Sequence, residues 1–146
     1  MRSAAAKTAR SAPALRLTAP VVREAVLHKQ IADTFRLEIA PAGRVSKAGV
    51  VWWSVDMAAY AGNVPGIRTG RGCIAGVPDM IVLHEGRAFF LELKAEDGIL
   101  SPAQCTVGAA ILVCGARYGV VRDAAEAVAH LDAWEIPRAH RVVGLR

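Results

Sequence analysis

The chain has 146 residues, 53% of them apolar, with a formal net charge of +5 and a pI of about 9.6. That length suits one domain with its own core and excludes two comfortable ones. No apolar run reaches the ~18 residues of a membrane helix, so a soluble globular domain without a membrane partner is expected, and the positive balance favours an anionic partner or a solvated basic surface.

Residues 1–19 carry Arg2, Lys7, Arg10 and Arg16 among Ala, Ser and Pro, and no acid. They lack the continuous apolar segment of a secretory signal. A disordered basic arm able to lie on a phosphate backbone is the preferred reading, with an organellar transit peptide as the alternative. Thr18 can cap a first helix that tolerates Pro20 in its first turn and runs through Val21 to about Glu38. Its buried stripe is Leu27, Ile31 and Phe35, spaced four apart. Glu24 falls on or beside that stripe, where an acid is costly unless paired or bound to a cation. The alternative is a place at the stripe's edge in the first turn, where the helix dipole favours an acid.

Gly49 to Val55 reads as a strand whose Trp52 and Trp53 belong to the core or a sheet face. Ala58 to Gly76 reads mostly as loop. Two short strands follow, Asp79–His84 and Arg87–Lys94, with apolar residues on both faces, as in the middle of a sheet covered by helices on both sides. Ser101-Pro102-Ala103-Gln104 opens a helix with a cap, a proline at the first position and a capping-box glutamine, ending near Gly115. Tyr118 to Arg122 is a short strand. Asp123 to Glu126 is a second capping box, opening a helix to about Trp134. The order is α-β-β-β-α-β-α, which makes the fold class α/β. The expected organisation is a flexible arm (1–19), one domain (20–136) and a basic tail (137–146). Cys73, Cys105 and Cys114 are an odd number without CxxC spacing, so neither a zinc site nor a disulfide framework is expected, and a reducing, cytoplasmic setting fits.

The chemistry concentrates in the strand pair. If Glu85 and Gly86 form a two-residue turn, His84 faces Arg87, and counting outward sets Asp79 opposite Glu92. Directly opposed Cβ atoms on one face lie roughly 5 Å apart, where like charges repel by about 1 kcal/mol even at water's dielectric. Side chains alternate along a strand, so Lys94 shares the face of Glu92. Two carboxylates beside an ammonium pack poorly and bind cations well; a plain salt-bridged cluster is the structural alternative. Magnesium held by such carboxylates, with the Leu93 carbonyl as a further ligand, activates water and neutralises phosphoryl oxygens. Lys94 can orient the attacking water and offset charge on the phosphate.

The run from Gly70 to Asp79, then Glu92-Leu93-Lys94, then Gly98-Ile99-Leu100-Ser101-Pro102-Ala103-Gln104, resembles the VRR-NUC domain of the PD-(D/E)XK, or restriction-endonuclease-like, superfamily, over about Glu24 to Arg122. The resemblance implies a restriction-endonuclease-like core with a central mixed sheet flanked by helices. It implies a Mg²⁺- or Mn²⁺-dependent DNA endonuclease that leaves a 5′-phosphate, acts on branched DNA and pairs into a homodimer. Asp79 and Glu92 would ligate metal with the Leu93 carbonyl, Lys94 would be the catalytic lysine, Glu24 would complete the metal site and Gln104 would support it. Gln104 has its capping role as an equally good local explanation. Arg68 and Arg71 are candidates for DNA contact, or ordinary solvated loop arginines. The chain departs from the family at Asp56-Met57-Ala58-Ala59-Tyr60, where an asparagine-rich or basic stretch is usual. The competing functional class is a module that binds DNA structure or a partner and cuts little.

Overall fold

The structure is a computed structural model that describes residues 20–55 and 72–139. The elements in chain order are α1 (Pro20–Glu38), β1 (Val50–Ser54), β2 (Met80–His84), β3 (Arg87–Leu93), α2 (Pro102–Val113), β4 (Arg117–Val121) and α3 (Ala124–Ala133). The basic arm and its cap Thr18, the departure at 56–60, and both Arg68 and Arg71 lie outside the described residues, as does the tail beyond Ala139.

The strands form one four-stranded mixed sheet in the order β1-β2-β3-β4, so the chain is α/β with a sheet flanked by helices. β1, β2 and β3 are antiparallel, whereas β4 runs parallel to β3 after the α2 crossover that a parallel pair requires. The turn between β2 and β3 sets the register. Glu85 and Gly86 both take positive φ, 50° and 71°, as a primed hairpin turn demands. His84 faces Arg87 and Met80 faces Leu91, and Asp79 and Glu92 are the next residues beyond that last pair.

One sheet face carries the core. Trp52, Met80, Val82, Phe89, Leu91, Leu93 and Val121 pack under Leu27, Ile31 and Phe35 of α1 and under Ala127 and Leu131 of α3. Phe35 meets Trp52 edge to face at 5.4 Å, and the Trp52 indole donates to the Ala40 carbonyl at 2.7 Å. The second face, with Val51, Trp53, Ile81, Leu83, Phe90 and Tyr118, is half-buried, and α2 lies against its β4 side. Glu92 belongs to this second face by its alternation with Leu91 and Leu93.

Three sequence expectations shift. β4 is Arg117–Val121 rather than Tyr118–Arg122, because pairing of Phe89 with Arg117 in the parallel ladder fixes its start. The second capping box closes on one side only. The Asp123 carboxylate accepts from the Glu126 amide at 2.7 Å, but Glu126 reaches back to the Arg122 amide instead of that of Asp123. Arg138, assigned to the basic tail, pairs with Glu38 at 2.7 Å and with Asp132 at 2.9 Å, tying the end of the described chain to α1 and α3.

The loop into β2 is pressed against the start of α2. Gly76 has φ of 84°, and a Cβ there would stand 2.4 Å from the Ala103 carbonyl carbon and 2.7 Å from the Gln104 nitrogen. Only glycine fits this approach. It brings the Pro78-Asp79 segment and Gln104 to the same end of the sheet.

Candidate metal centre

Asp79 stands just before β2, where its carbonyl accepts from the Val55 amide at 2.7 Å and its side-chain Oδ2 accepts from the Leu93 amide at 2.8 Å. The carboxylate thus takes the place of a ladder acceptor where the strand pair ends. Glu92 follows on β3 and is 1% exposed, an extreme burial for a carboxylate. Its Oε1 accepts a hydrogen bond from the Gln104 side-chain amide, while its Oε2 is buried and makes no hydrogen bond.

Gln104 serves two structures at once. Its Oε1 accepts from the Ser101 amide at 2.8 Å and its backbone amide donates to the Ser101 hydroxyl at 3.2 Å, closing the capping box of α2. Its NH₂ group holds Glu92. The capping role and the support role are therefore both present in the geometry.

Lys94 lies one residue beyond β3, its amide bonded to the Val121 carbonyl at 3.0 Å. Its ammonium, 11% exposed, stands 3.6 Å from Glu92 Oε1 and 3.5 Å from Glu24 Oε1. Glu24 sits at the edge of the α1 stripe, and so a helix 70 residues earlier contributes an acid to the cluster. Glu24, Asp79, Glu92, Lys94 and Gln104 come together; the Leu93 peptide lies among them and gives its amide to Asp79.

The electrostatics follow from burial. Desolvation, then the negative charge of Asp79, pushes the Glu92 carboxyl up to about 7, against the opposing pull of Lys94. Burial also raises Asp79, while its bond from the Leu93 amide and the nearby His28 and Lys94 draw it down. One lysine among three carboxylates leaves the site short of positive charge. The Glu92 Oε2 atom is an acceptor with nothing to accept, in a place where an unpaired acceptor is expensive.

Two neighbours escaped the sequence reading. His28, four residues after Glu24 on α1, meets the Ser54 hydroxyl at 2.8 Å through Nε2. Its i+4 spacing from Glu24 was the available signal. The Tyr118 hydroxyl is buried on the second sheet face beside this cluster, with no local pattern to announce it.

Among the described residues no three His, Cys, Asp or Glu side chains are already gathered as a ready-made ligand set, since Lys94 lies between Glu24 and Glu92. The donors nevertheless suit a hard divalent cation, which takes carboxylate, carbonyl and water oxygens. The Glu92 Oε2 atom, buried and without a hydrogen-bond partner among the described residues, is an oxygen of the kind such a cation takes. Among the described residues no helix is long and apolar enough to cross a membrane. No family model, curated protein or solved structure matches the chain.

Proposed function

We propose that this chain is a metal-dependent DNA endonuclease with a restriction-endonuclease-like core of the VRR-NUC type. The observation that carries the reading is Glu92: a carboxylate 1% exposed, with one oxygen fixed by Gln104 and the other unpartnered, beside Asp79 and Lys94. A protein gains nothing in stability from such a group, and sites of this kind are where function is found.

Asp79 and Glu92 would hold Mg²⁺ or Mn²⁺ with the Leu93 carbonyl, and Glu24 would complete the set. The ion supplies Lewis acidity at the scissile phosphate and acidity to the attacking water. Gln104 keeps Glu92 in one rotamer, so the ligand oxygen is oriented before substrate arrives. Lys94, fixed between two acids, presents a proton donor and a positive charge where the phosphoryl oxygens gain charge. The net charge of +5 favours approach of a polyanion. Arg23 and Arg122 line a groove of about 390 Å³ and are candidates for the phosphate backbone, together with Arg68 and Arg71.

Nicking of supercoiled plasmid and of branched DNA, with Mg²⁺ or Mn²⁺, tests the reading. Wild type is expected to cut and Glu92→Ala and Lys94→Ala to lose cutting. Activity that survives both substitutions defeats the assignment.

A homodimer is part of the same proposal, and α2 supports it. The helix carries no charged residue, and Leu112 and Val113 are 54% and 88% exposed, with Ala109 and Ala110 exposed beside them. An apolar exposed face of this kind marks an interaction surface. For chains of net charge +5, an uncharged helix is a surface where two copies meet without like-charge repulsion. Sedimentation velocity is expected to show a dimer that Val113→Glu dissociates; a wild-type monomer throughout the micromolar range removes this part of the proposal.

A further inference from the structure

Among the described residues, two buried side-chain polar atoms lack a hydrogen-bond partner: Glu92 Oε2 and the Tyr118 hydroxyl. They are chemically complementary, one an acceptor and the other a donor. They also lie on one face of adjacent strands. β3 pairs with β4 so that Phe90 faces Tyr118 and Glu92 faces Val120, which makes Tyr118 the diagonal neighbour of Glu92. Diagonal positions are within reach of aromatic side chains.

The ring is held in place from the other side. A Cβ at Gly108 of α2 would come within 2.9 Å of the Tyr118 ring, so the ring lies directly on the helix backbone. Gly108 follows Gln104 by four residues, one turn along the same helix face. One face of α2 thus fixes Glu92 through Gln104 and admits Tyr118 through Gly108. Burial, then the nearby carboxylates of Glu92 and Asp79, pushes the phenol up to about 12, so it remains a donor at neutral pH.

We propose that Tyr118 is a positioning residue for Glu92, its hydroxyl joined to Oε2 through one bridging water. A water between two buried polar groups satisfies both at little cost relative to leaving them unpaired. The bridge itself is independent of the nuclease reading; its use in aiming Glu92 at a cation rests on that reading.

Tyr118→Phe keeps the ring on Gly108 and removes only the hydroxyl. A double-mutant cycle with Glu92→Met, in metal-free protein unfolded by urea, isolates the link. Tyr118→Phe is expected to lower the urea midpoint when Glu92 is present and to leave it unchanged when Glu92 is replaced. Equal shifts in both backgrounds overturn the bridge. Calorimetric titration with Mn²⁺ reads the positioning role: Tyr118→Phe is expected to weaken uptake about tenfold. Unchanged Mn²⁺ affinity overturns positioning. Wild type that takes up no Mn²⁺ overturns the metal centre and positioning with it, and the cycle alone then decides the bridge. Should Glu92→Met fail to fold, Glu92→Leu, which likewise leaves no polar atom for the water, replaces it in the cycle.

Discussion

Glu92→Gln is expected to make the metal-free protein more stable at pH 8 while abolishing cleavage. The carboxyl of Glu92 is raised from its ordinary 4.5 to about 7 in the folded chain. Between those values the folded state keeps a proton that the unfolded state has released. The stabilisation is full below about 4.5 and is lost as pH rises through about 7. At about 1.4 kcal/mol per pH unit, the loss amounts to roughly 3 kcal/mol at most. Glutamine is neutral throughout and keeps an oxygen for the Gln104 amide, so it removes this slope. Asp79, also raised, leaves a residual slope of the same sign. Chemical denaturation from pH 5 to 8.5 is expected to show wild type falling and the variant staying nearly level. Cleavage is expected to drop about 10³-fold through loss of a metal ligand. Because a metal competes with that proton, Mn²⁺ uptake by wild type strengthens as pH rises toward about 7. A wild-type stability profile flat across this range removes the electrostatic account of the site.

Lys94→Met is the counterpart, with the opposite sign in stability. It removes the charge between Glu24 and Glu92 and keeps most of the side-chain volume. At pH 8 it leaves buried negative charge uncompensated, and a loss of about 2–3 kcal/mol is expected in metal-free protein. At pH 5 the loss shrinks, because Glu92 is then protonated. Mn²⁺ uptake is expected to persist or strengthen, since the ammonium no longer competes for the same oxygens, and the added ion restores the melting temperature. Cleavage is expected to remain down by 10²- to 10³-fold. This split separates a working lysine from a structural clamp. If Mn²⁺ restores stability and cleavage together, Lys94 only neutralises its neighbours.

What the sequence reveals here, and what it hides, follows the range of the interactions. The register from His84–Arg87 to Met80–Leu91, beyond which Asp79 and Glu92 come next, could be counted from Glu85-Gly86, because a two-residue turn fixes register locally. The start of α2 was equally local, written in Ser101, Pro102 and Gln104. The near-complete burial of Glu92 was not legible, since it depends on α2 lying on the second sheet face. Glu24, 70 residues before Lys94, was brought to the site only by the family resemblance, and its contact with the Lys94 ammonium had no local signal. The start of β4 was misplaced for a related reason: a parallel neighbour sets it, and Arg117 gives no apolar cue. Tyr118 and His28 acquire their meaning only from partners on other elements.

The double use of Gln104 has a consequence for which sequences this fold can accept. A helix start of this kind ordinarily takes glutamate or glutamine with little preference, because either oxygen satisfies the cap. Here the second arm of the side chain must donate to Glu92. Glutamate in its place would still start the helix, yet would set a fourth acid against a carboxylate already short of positive partners. The same position is therefore permissive when judged by the helix and intolerant when judged by the site. A substitution that the local rule allows would therefore take from Glu92 the hydrogen bond that Gln104 gives it.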